Sequence, residues 1–378
     1  MAGRTLYCGG ALFDGARLHP EAGLLIESGR VAAIGAGPET PADVMVDLQG
    51  DILCPGFADL QVNGGGGVMF NDAPTPETLA TIAQAHMGLG AGVILPTLIT
   101  DTPEQTRAAI AAAIEAVRGG VKGIGGLHLE GPHLSVARKG AHSAALIRPM
   151  EAEDLAALLA AAEALPALMV TVAPENVTPD QVSALAGAGV IVSLGHTDTD
   201  YDTAMAYQEA GAACVTHLFN AMSQMGNRAP GVVGAALDNS GLAAGLIADG
   251  IHVHRASIRA AWAAKQGPAP IFLVSDAMSP AGTDQARFTL NGREIRREAG
   301  RLTLADGTLA GADLDLTTAI GVLHRAVGVP LADALRAATS APADVAGLAE
   351  ACRIRVGEPD PVLRVAADFS GCSWVLAP

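Results

Sequence analysis

Residues 126–132, GLHLEGP, contain the pattern that decides the fold: a short apolar run that ends in a carboxylate, here Glu130. Two later segments repeat this pattern with an imidazole at the end, and these are SLGHT at residues 193–197 and VTHLFNA at residues 215–221. A fourth, FLVSDA at residues 272–277, ends in another carboxylate. Polar groups at the ends of separate strands can meet only if those strands lie side by side. We therefore expect a sheet in which these strand ends share one site.

The middle of the chain repeats one unit: an apolar strand, a polar or glycine-rich loop, and an amphipathic or alanine-rich helix. Strands are predicted at residues 52–62, 92–99, 123–130, 168–174, 190–196, 213–218, 242–248 and 271–276. Helices are predicted at residues 76–89, 103–118, 151–164, 179–188, 200–210 and 255–265. Eight such units favour an α/β fold, the (β/α)8 TIM-like barrel, and a doubly wound open sheet is the alternative.

Both ends of the chain differ from this middle because they contain short strand patterns without helices. At the N-terminus these lie at residues 24–35 and 44–48, and at the C-terminus at residues 362–368 and 373–376. We expect a small β-sandwich domain formed from both termini, residues 1–54 plus 346–378. The catalytic barrel is expected to comprise residues 55–345.

The formal net charge of −16 excludes some classes of partner. A strongly negative field repels nucleic acid and anionic membrane surfaces, so we expect neither as a partner. We find no apolar run long enough to cross a bilayer and no signal-peptide pattern. The five scattered cysteines indicate a reducing compartment, so a cytoplasmic protein is expected. An anionic substrate would have to be held by a few local cations.

Glu130, His196 and His217 form a ligand set typical of a catalytic divalent ion with one position left for water. Each residue alone has a plainer interpretation, since a strand-end Glu can cap a loop and a buried His is commonly a hydrogen-bonded core residue. Their positions at the equivalent ends of strands three, five and six favour the metal site.

Asp276 ends strand eight and is the candidate for the base that takes a proton from water and returns it to a leaving amine. The alternative is an Asp that only braces its loop. Gln61 and Asn63 end strand one on a single face. Because amides are weak ligands, we expect them only to hydrogen-bond to neighbouring loops. We also expect His128 on the opposite strand face from Glu130, and His133 in a pocket wall.

Four polar residues in the loops after strands three, six and seven could bind a phosphate monoester, for which Arg offers a bidentate fork. They are His142, Arg228, Asp249 and His252.

In combination, these segments resemble the N-acetylglucosamine-6-phosphate deacetylases of the amidohydrolase superfamily. The resemblance runs over residues 55–344 and rests on PGFADLQVNGG, GLHLEGP, KGAH, GHT, THLFNAM, ADGIH and SDAMSPAG. It implies hydrolysis of the sugar's acetamide to glucosamine 6-phosphate and acetate, with metal ligation by Glu130, His196 and His217. It also implies that Asp276 is the general base and acid, and that His142 helps to polarise the acetyl carbonyl.

The resemblance further implies a set of substrate contacts. They are Ala141, His142, Asn220, Ala221, Arg228, Asp249, His252, Leu309, Ala310 and Gly311. The residue matching Arg228 reaches the substrate of the neighbouring subunit in that family, which implies a homodimer. Gln61 and Asn63 stand where many superfamily members have His-x-His, so one divalent ion per subunit, zinc, is expected.

Three alternatives remain open at this point. The substrate could be the galactosamine epimer, or a non-phosphorylated N-acyl compound. The chain could also be a sugar-phosphate sensor without activity, but a sensor is expected to have lost a ligand or the base. All four of those residues are present.

Overall fold

The computed structural model describes residues 3–238, 241–290 and 292–378, and its centre is a sheet of eight parallel strands. In chain order the strands are β1 Phe57–Val62, β2 Ala91–Ile99, β3 Leu127–Glu130, β4 Leu168–Val172, β5 Ile191–Leu194, β6 Cys214–Val215, β7 Ala243–Leu246 and β8 Ile271–Leu273. Each strand pairs with the next in the chain. Residues just past β8 return to β1, where Asp276 N donates to Gln61 O at 3.0 Å. The sheet is thus nearly closed, and the predicted TIM-like barrel is confirmed.

Helices follow most of the strands at close to the predicted positions. They are α1 Pro76–Gly88, α2 Pro103–Arg118, α3 Ala152–Ala164, α4 Pro179–Gly187, α5 Tyr201–Glu209, α6 Gly231–Leu237, α7 Arg255–Ala264, α8 Leu316–Gly321, α9 Leu331–Ala338 and α10 Ser340–Val345. Three of them begin with a Thr cap followed by Pro, at Thr75, Thr102 and Thr178. In each case the Thr hydroxyl accepts a backbone N–H of the first turn at 3.3 Å. This arrangement satisfies a free donor, and the following Pro has none to lose.

The predicted strand at residues 52–62 is wrong as a single element, because the structure contains two strands there. Ile52–Pro55 pairs with strands from both chain termini, whereas Phe57–Val62 is β1 of the barrel. Gly56 lies between them at a crowded point. A Cβ at Gly56 would lie 2.6 Å from the Trp374 ring and 3.0 Å from Gly92 Cα. The chain therefore changes sheets at this glycine.

The barrel interior contains a polar layer beneath the strand ends. His128 Nε2 lies 2.8 Å from Thr171 Oγ1, which lies 2.7 Å from Thr216 Oγ1. Ser193 Oγ extends the chain of hydroxyls at 2.7 Å from Thr216. The expectation that His128 lies on the opposite face from Glu130 is wrong. Residues two apart on a strand share a face, so His128 lies in the interior one layer below Glu130.

Strands from the two termini form two further sheets. The first contains, in spatial order, Arg30–Ala36, Gly23–Glu27, Arg4–Cys8 and Val44–Asp47, and the second contains Cys372–Leu376, Val362–Val365, Ile52–Pro55, Ala11–Phe13 and Leu18–His19. One buried apolar cluster joins residues of both sheets, including Leu24, Leu53 and Val362. The sandwich domain and its boundaries stay predictions.

A small antiparallel sheet after β8 was not predicted. Its strands are Arg287–Leu290, Arg293–Glu298, Arg301–Thr303 and Leu309–Ala312. Its apolar face packs with Ile99 and Met278 beside the barrel mouth. Among the described residues, no helix combines the length and the hydropathy that a membrane crossing requires.

Candidate active site

A cavity of about 430 Å³ opens at the C-terminal ends of the barrel strands. All four residues that the sequence predicts for metal binding and proton transfer line it, namely Glu130, His196, His217 and Asp276. Each is at most 9% exposed. The fold therefore brings together residues that are up to 146 positions apart in the chain.

The backbone explains how three of these side chains reach the cavity. His196, His217 and Asp276 have φ angles of 49°, 31° and 50°, which is the left-handed region that residues with a side chain rarely adopt. Each follows a short strand and ends its extended conformation. Residues held in this region against their preference cluster at functional sites, where packing over-determines the conformation.

Glu130 is the centre of the cluster. Its Oε1 lies 3.2 Å from His196 Nε2 and 3.1 Å from His217 Nε2, and the two Nε2 atoms lie 3.1 Å apart. A tetrahedral zinc site with bonds of about 2.0–2.1 Å has ligand atoms about 3.3–3.4 Å apart. The three atoms thus already have nearly the separation that a small divalent cation requires. A second group, Glu130, His142 and His196, also has its ligand atoms within 4.8 Å of one another.

The hydrogen bond of His196 favours a ligand role. Its Nδ1 lies 2.8 Å from the Arg138 carbonyl oxygen, which can only accept, so Nδ1 holds the proton. The lone pair is then on Nε2, which points at Glu130. This is the arrangement by which proteins orient a metal-binding imidazole. Burial and the adjacent His142 lower the pKa of His196 to about 4, so its ring is neutral at pH 7.

Charge also favours a cation at this point. Burial alone would raise the pKa of Glu130, but its contacts with the imidazoles of His142, His196 and His217 outweigh burial and hold that pKa well below its usual value. For His217, burial lowers the pKa, but the contact with Glu130 outweighs burial and the net pKa is raised. A buried carboxylate that draws a proton to its neighbour is a place where a cation is stabilised.

His142 approaches Glu130 from the other side. Its Nε2 lies 3.6 Å from Glu130 Oε2, and its ring lies edge-on to His196 with centroids 4.4 Å apart. Its Nδ1 faces Thr100, which follows β2.

Asp276 is held by the two amides at the end of β1. Asn63 Nδ2 donates to Asp276 Oδ1 at 2.7 Å, and Gln61 Nε2 donates to the same oxygen at 3.2 Å and to Glu130 Oε1 at 3.1 Å. Burial, followed by the negative charge of Glu130, raises the pKa of Asp276 to about 6. The expectation that these amides bind only neighbouring loops is therefore wrong. The signal was present in the sequence, because alternate residues of β1 face the interior.

Eight of the ten predicted substrate contacts line the cavity. They are Ala141, His142, Asn220, Ala221, His252, Leu309, Ala310 and Gly311. Asp249 is behind this surface, where its Oδ2 lies 2.6 Å from His252 Nδ1 and fixes that ring. Arg228 is exposed in the loop before α6 and is not part of the lining.

Other lining residues were not singled out as site residues by the sequence. Ile99, Ile247, Met278 and Leu290 give the cavity an apolar wall, and Thr308 comes from the small sheet that the sequence did not predict. His133, expected in a pocket wall, lines a separate small pocket together with Pro132 and Asp154. It lies outside this cavity, with Nδ1 3.1 Å from the Arg148 carbonyl oxygen.

Comparisons with known proteins agree with this geometry. The model of the amidohydrolase family matches residues 52–359. An N-acetylgalactosamine-6-phosphate deacetylase from Shewanella sp. (strain ANA-3) is 44% identical over 297 residues, which is 79% of this chain and 75% of the relative. An N-acetylglucosamine-6-phosphate deacetylase from Haemophilus influenzae is 36% identical over 306 residues, covering 80% and 79% of the two chains.

Among solved structures, the N-acetylglucosamine-6-phosphate deacetylase of Pasteurella multocida is similar over almost its whole length. The TM-score is 0.91 at 32% identity, with 99% of this chain and 98% of that chain covered. The resemblance seen in the sequence is thus confirmed, and with it a hydrolase that acts on amide bonds. By the extent of these matches, the chain belongs to the amidohydrolase family.

Proposed function

We propose that this protein hydrolyses the acetamide of N-acetylglucosamine 6-phosphate, giving glucosamine 6-phosphate and acetate. One observation carries the proposal: Glu130 Oε1, His196 Nε2 and His217 Nε2 lie within 3.2 Å of one another in the same cavity as Asp276. The names of the relatives above support the substrate class. The presence of all four residues argues against a sensor that has lost its activity.

We propose that Glu130, His196 and His217 hold one divalent ion, zinc. Oxygen and imidazole ligands suit zinc, and three of them leave a fourth position open, as catalytic zinc sites do. When bound, such an ion polarises a carbonyl and lowers the pKa of water to about 7. Gln61 supports a single ion, because its amide N–H lies between Glu130 and Asp276 and donates to both carboxylates.

Asp276 is the proton carrier in this proposal. Its Oδ1 accepts from both amides, while Oδ2 accepts no hydrogen bond from the part of the chain that the structure describes. Oδ2 is therefore free to accept a proton from the attacking water. The same proton then passes to the sugar nitrogen as the C–N bond breaks, which yields the free amine and acetate. A pKa near neutrality suits a group that must both take and give a proton.

Phosphate binding would require help from a second copy of the chain. In the described parts of the structure, the residues that line the cavity include no Lys or Arg. His252 is the lining residue best placed to bind an anion, and Asp249 orients its ring. Arg228 is exposed on the loop that runs from the lining residues Asn220 and Ala221 to α6, so it is available to a neighbouring molecule. We therefore propose a homodimer in which Arg228 contacts the phosphate in the partner's cavity.

N-acetylgalactosamine 6-phosphate is the second candidate substrate. The observation that favours it is the 44% identity to the Shewanella enzyme named for that sugar. The two sugars differ only at the 4-hydroxyl, which lies away from the acetamide, so the same catalytic groups would serve both.

Two further expectations accompany this function. The terminal sheets would form one β-sandwich domain of residues 1–54 plus 346–378, beside a barrel of residues 55–345. Their shared apolar cluster supports this division. A cytoplasmic location is consistent with five cysteines that are all free.

The test is acetate release from zinc-loaded protein supplied with each of four sugars: the two N-acetylhexosamine 6-phosphates and their unphosphorylated forms. Efficient release from N-acetylglucosamine 6-phosphate is expected, with little from the unphosphorylated sugars. The inactive control is Asp276→Asn, which keeps the shape of the side chain but removes the base. Equal turnover of phosphorylated and unphosphorylated sugars would contradict the substrate assignment, and a clear preference for the galactose epimer would establish the second candidate.

A further inference from the structure

Thr100, the first residue after β2, makes two contacts with one atom of His142. Its backbone N–H donates to His142 Nδ1 at 3.3 Å, and its hydroxyl oxygen lies 2.8 Å from the same Nδ1. Thr100 and His142 are 1% and 4% exposed, so water does not compete for these groups. The hydroxyl has a longer contact, 3.3 Å, with the Glu130 carbonyl oxygen.

These contacts decide which ring nitrogen of His142 holds the proton. A backbone N–H can only donate, so Nδ1 must accept and must lack a proton. If Nδ1 were protonated instead, two N–H groups would face each other and the buried Thr100 N–H would lose its partner, which folded proteins rarely tolerate. With Nδ1 as acceptor, the Thr100 hydroxyl also donates to it over the shorter of its two contacts. Neutral His142 is therefore the Nε2–H tautomer.

We propose that Thr100 is a positioning residue that holds His142 as an Nε2–H donor aimed at the acetyl oxygen of the substrate. This inference rests on the proposed deacetylation. His142 Nε2 points toward Glu130, 3.6 Å away, and lines the cavity. A fixed N–H aimed at the position where negative charge develops stabilises the transition state without reorganisation.

The partner of Nδ1 distinguishes His142 from the proposed metal ligands. A metal-binding Nε2 must offer a lone pair, and in His196 the Arg138 carbonyl oxygen ensures this by accepting from Nδ1. In His142 the partner of Nδ1 is a donor, so the arrangement is the reverse and Nε2 holds a proton. The three-residue group that includes His142 is thus not the ligand set, and His217 completes it.

Two substitutions test the role of the hydroxyl. Thr100→Val keeps the backbone N–H and the shape of the side chain but removes the O–H···Nδ1 hydrogen bond, whereas Thr100→Ser retains it. One hydrogen bond of this kind corresponds to a decrease in kcat of about three- to tenfold. We expect that decrease in the Val variant with KM nearly unchanged, and recovery in the Ser variant. Thr317→Val is the matched control, because Thr317 is buried on α8 outside the cavity lining.

Nitrogen-15 NMR of histidine-labelled, zinc-loaded protein determines the tautomer of His142 in the absence of a sugar substrate. The signals of His142 are assigned by their loss in His142→Gln. We expect Nδ1 to be unprotonated and hydrogen-bonded in the wild type, and its resonance to move toward that of a free unprotonated nitrogen in Thr100→Val. Because no substrate is present, this result does not depend on whether the substrate assignment is right.

A proton on Nδ1 of His142 in the wild type would overturn the proposal, even if Thr100→Val failed to fold. A folded Val variant with unchanged kcat, or one whose loss is confined to KM, would overturn it as well. An Nε2–H wild type, a lower kcat in the Val variant and its recovery in the Ser variant would establish it.

Discussion

Asn63→Leu should move the acidic limb of the pH–rate profile to higher pH. Asn63 Nδ2 donates the 2.7 Å hydrogen bond to Asp276 Oδ1, and Asn63 Oδ1 has no partner among the described residues, so the substitution removes one hydrogen bond. A hydrogen bond donated to a carboxylate stabilises the charged form and lowers its pKa. Removing it therefore raises the pKa of Asp276 above its value of about 6.

The size of the shift follows from the strength of the bond. A hydrogen bond to a charged group contributes about 1.5–3 kcal/mol, and about 1.36 kcal/mol corresponds to one pKa unit. We therefore expect the acidic limb to rise by about one to two pH units. A bound cation lowers the pKa of Asp276 in both proteins, so the difference between variant and wild type is the quantity to compare.

The assay is acetate release measured as kcat/KM across the pH range, because that parameter reports the free enzyme. At high pH, where Asp276 is ionised in both proteins, the activities should converge. Asn176→Leu is the matched control, since it removes a carboxamide that donates to the Leu134 carbonyl oxygen and does not contact Asp276. An unchanged acidic limb in a folded Asn63→Leu protein would refute the reasoning, as would a loss of activity that is the same at every pH.

Three further predictions follow from other sites. Burial raises the pKa of Asp59 to about 7 from its usual 3.8, so between these values the folded state binds more protons than the unfolded state and stability falls as pH rises. The Tm of Asp59→Asn relative to wild type should therefore increase from about pH 4 to about pH 7 and stay level above that. Gly195→Ala would place a Cβ 2.8 Å from two threonine side chains. We therefore expect a loss of about 1–3 kcal/mol in the free energy of unfolding, and weaker zinc binding in a competition titration. Gly187→Ala is the control, because a Cβ there meets open space and should cause neither effect. Mixing Arg228→Ala with Asp276→Asn, each nearly inactive alone, should restore activity, because one cavity of the hybrid dimer then has an intact base and the partner's arginine.

Each of these three predictions would be contradicted by one specific result. For Asp59→Asn it is a Tm difference that stays constant or decreases with pH. For Gly195→Ala it is zinc affinity equal to that of the wild type. For the mixture it is activity no higher than the sum of the two separate proteins after subunit exchange, which would mean that Arg228 acts within its own chain or has no role.

Much of the barrel was predictable because local signals and global fold agree. The Thr-Pro pairs that begin α1, α2 and α4 are both helix starts and strand-to-helix boundaries, so the helix positions were close to those observed. The meeting of the candidate site residues in one cavity was predictable for a related reason. In a parallel barrel the C-terminal ends of all strands lie at the same face, so polar residues that end apolar strands meet at the barrel mouth.

The parts that were missed depend on contacts between distant segments. The small sheet includes Arg293–Glu298, whose sequence REIRRE is too charged to suggest a strand, and it is stabilised by packing on Ile99 and Met278. The break at Gly56 depends on Trp374, which is more than 300 residues away. The tautomer of His142 depends on Thr100, and no spacing rule connects those two residues.

The central claim is that Glu130, His196 and His217 surround one divalent ion. Anomalous diffraction from a crystal of the zinc-loaded protein, collected on both sides of the zinc edge, tests it most directly. We predict one peak per chain, about 2.0–2.2 Å from Glu130 Oε1 and from Nε2 of His196 and His217, with His142 not coordinating. Two peaks, no peak, or a zinc ion bound by His142 in place of His217 would contradict it.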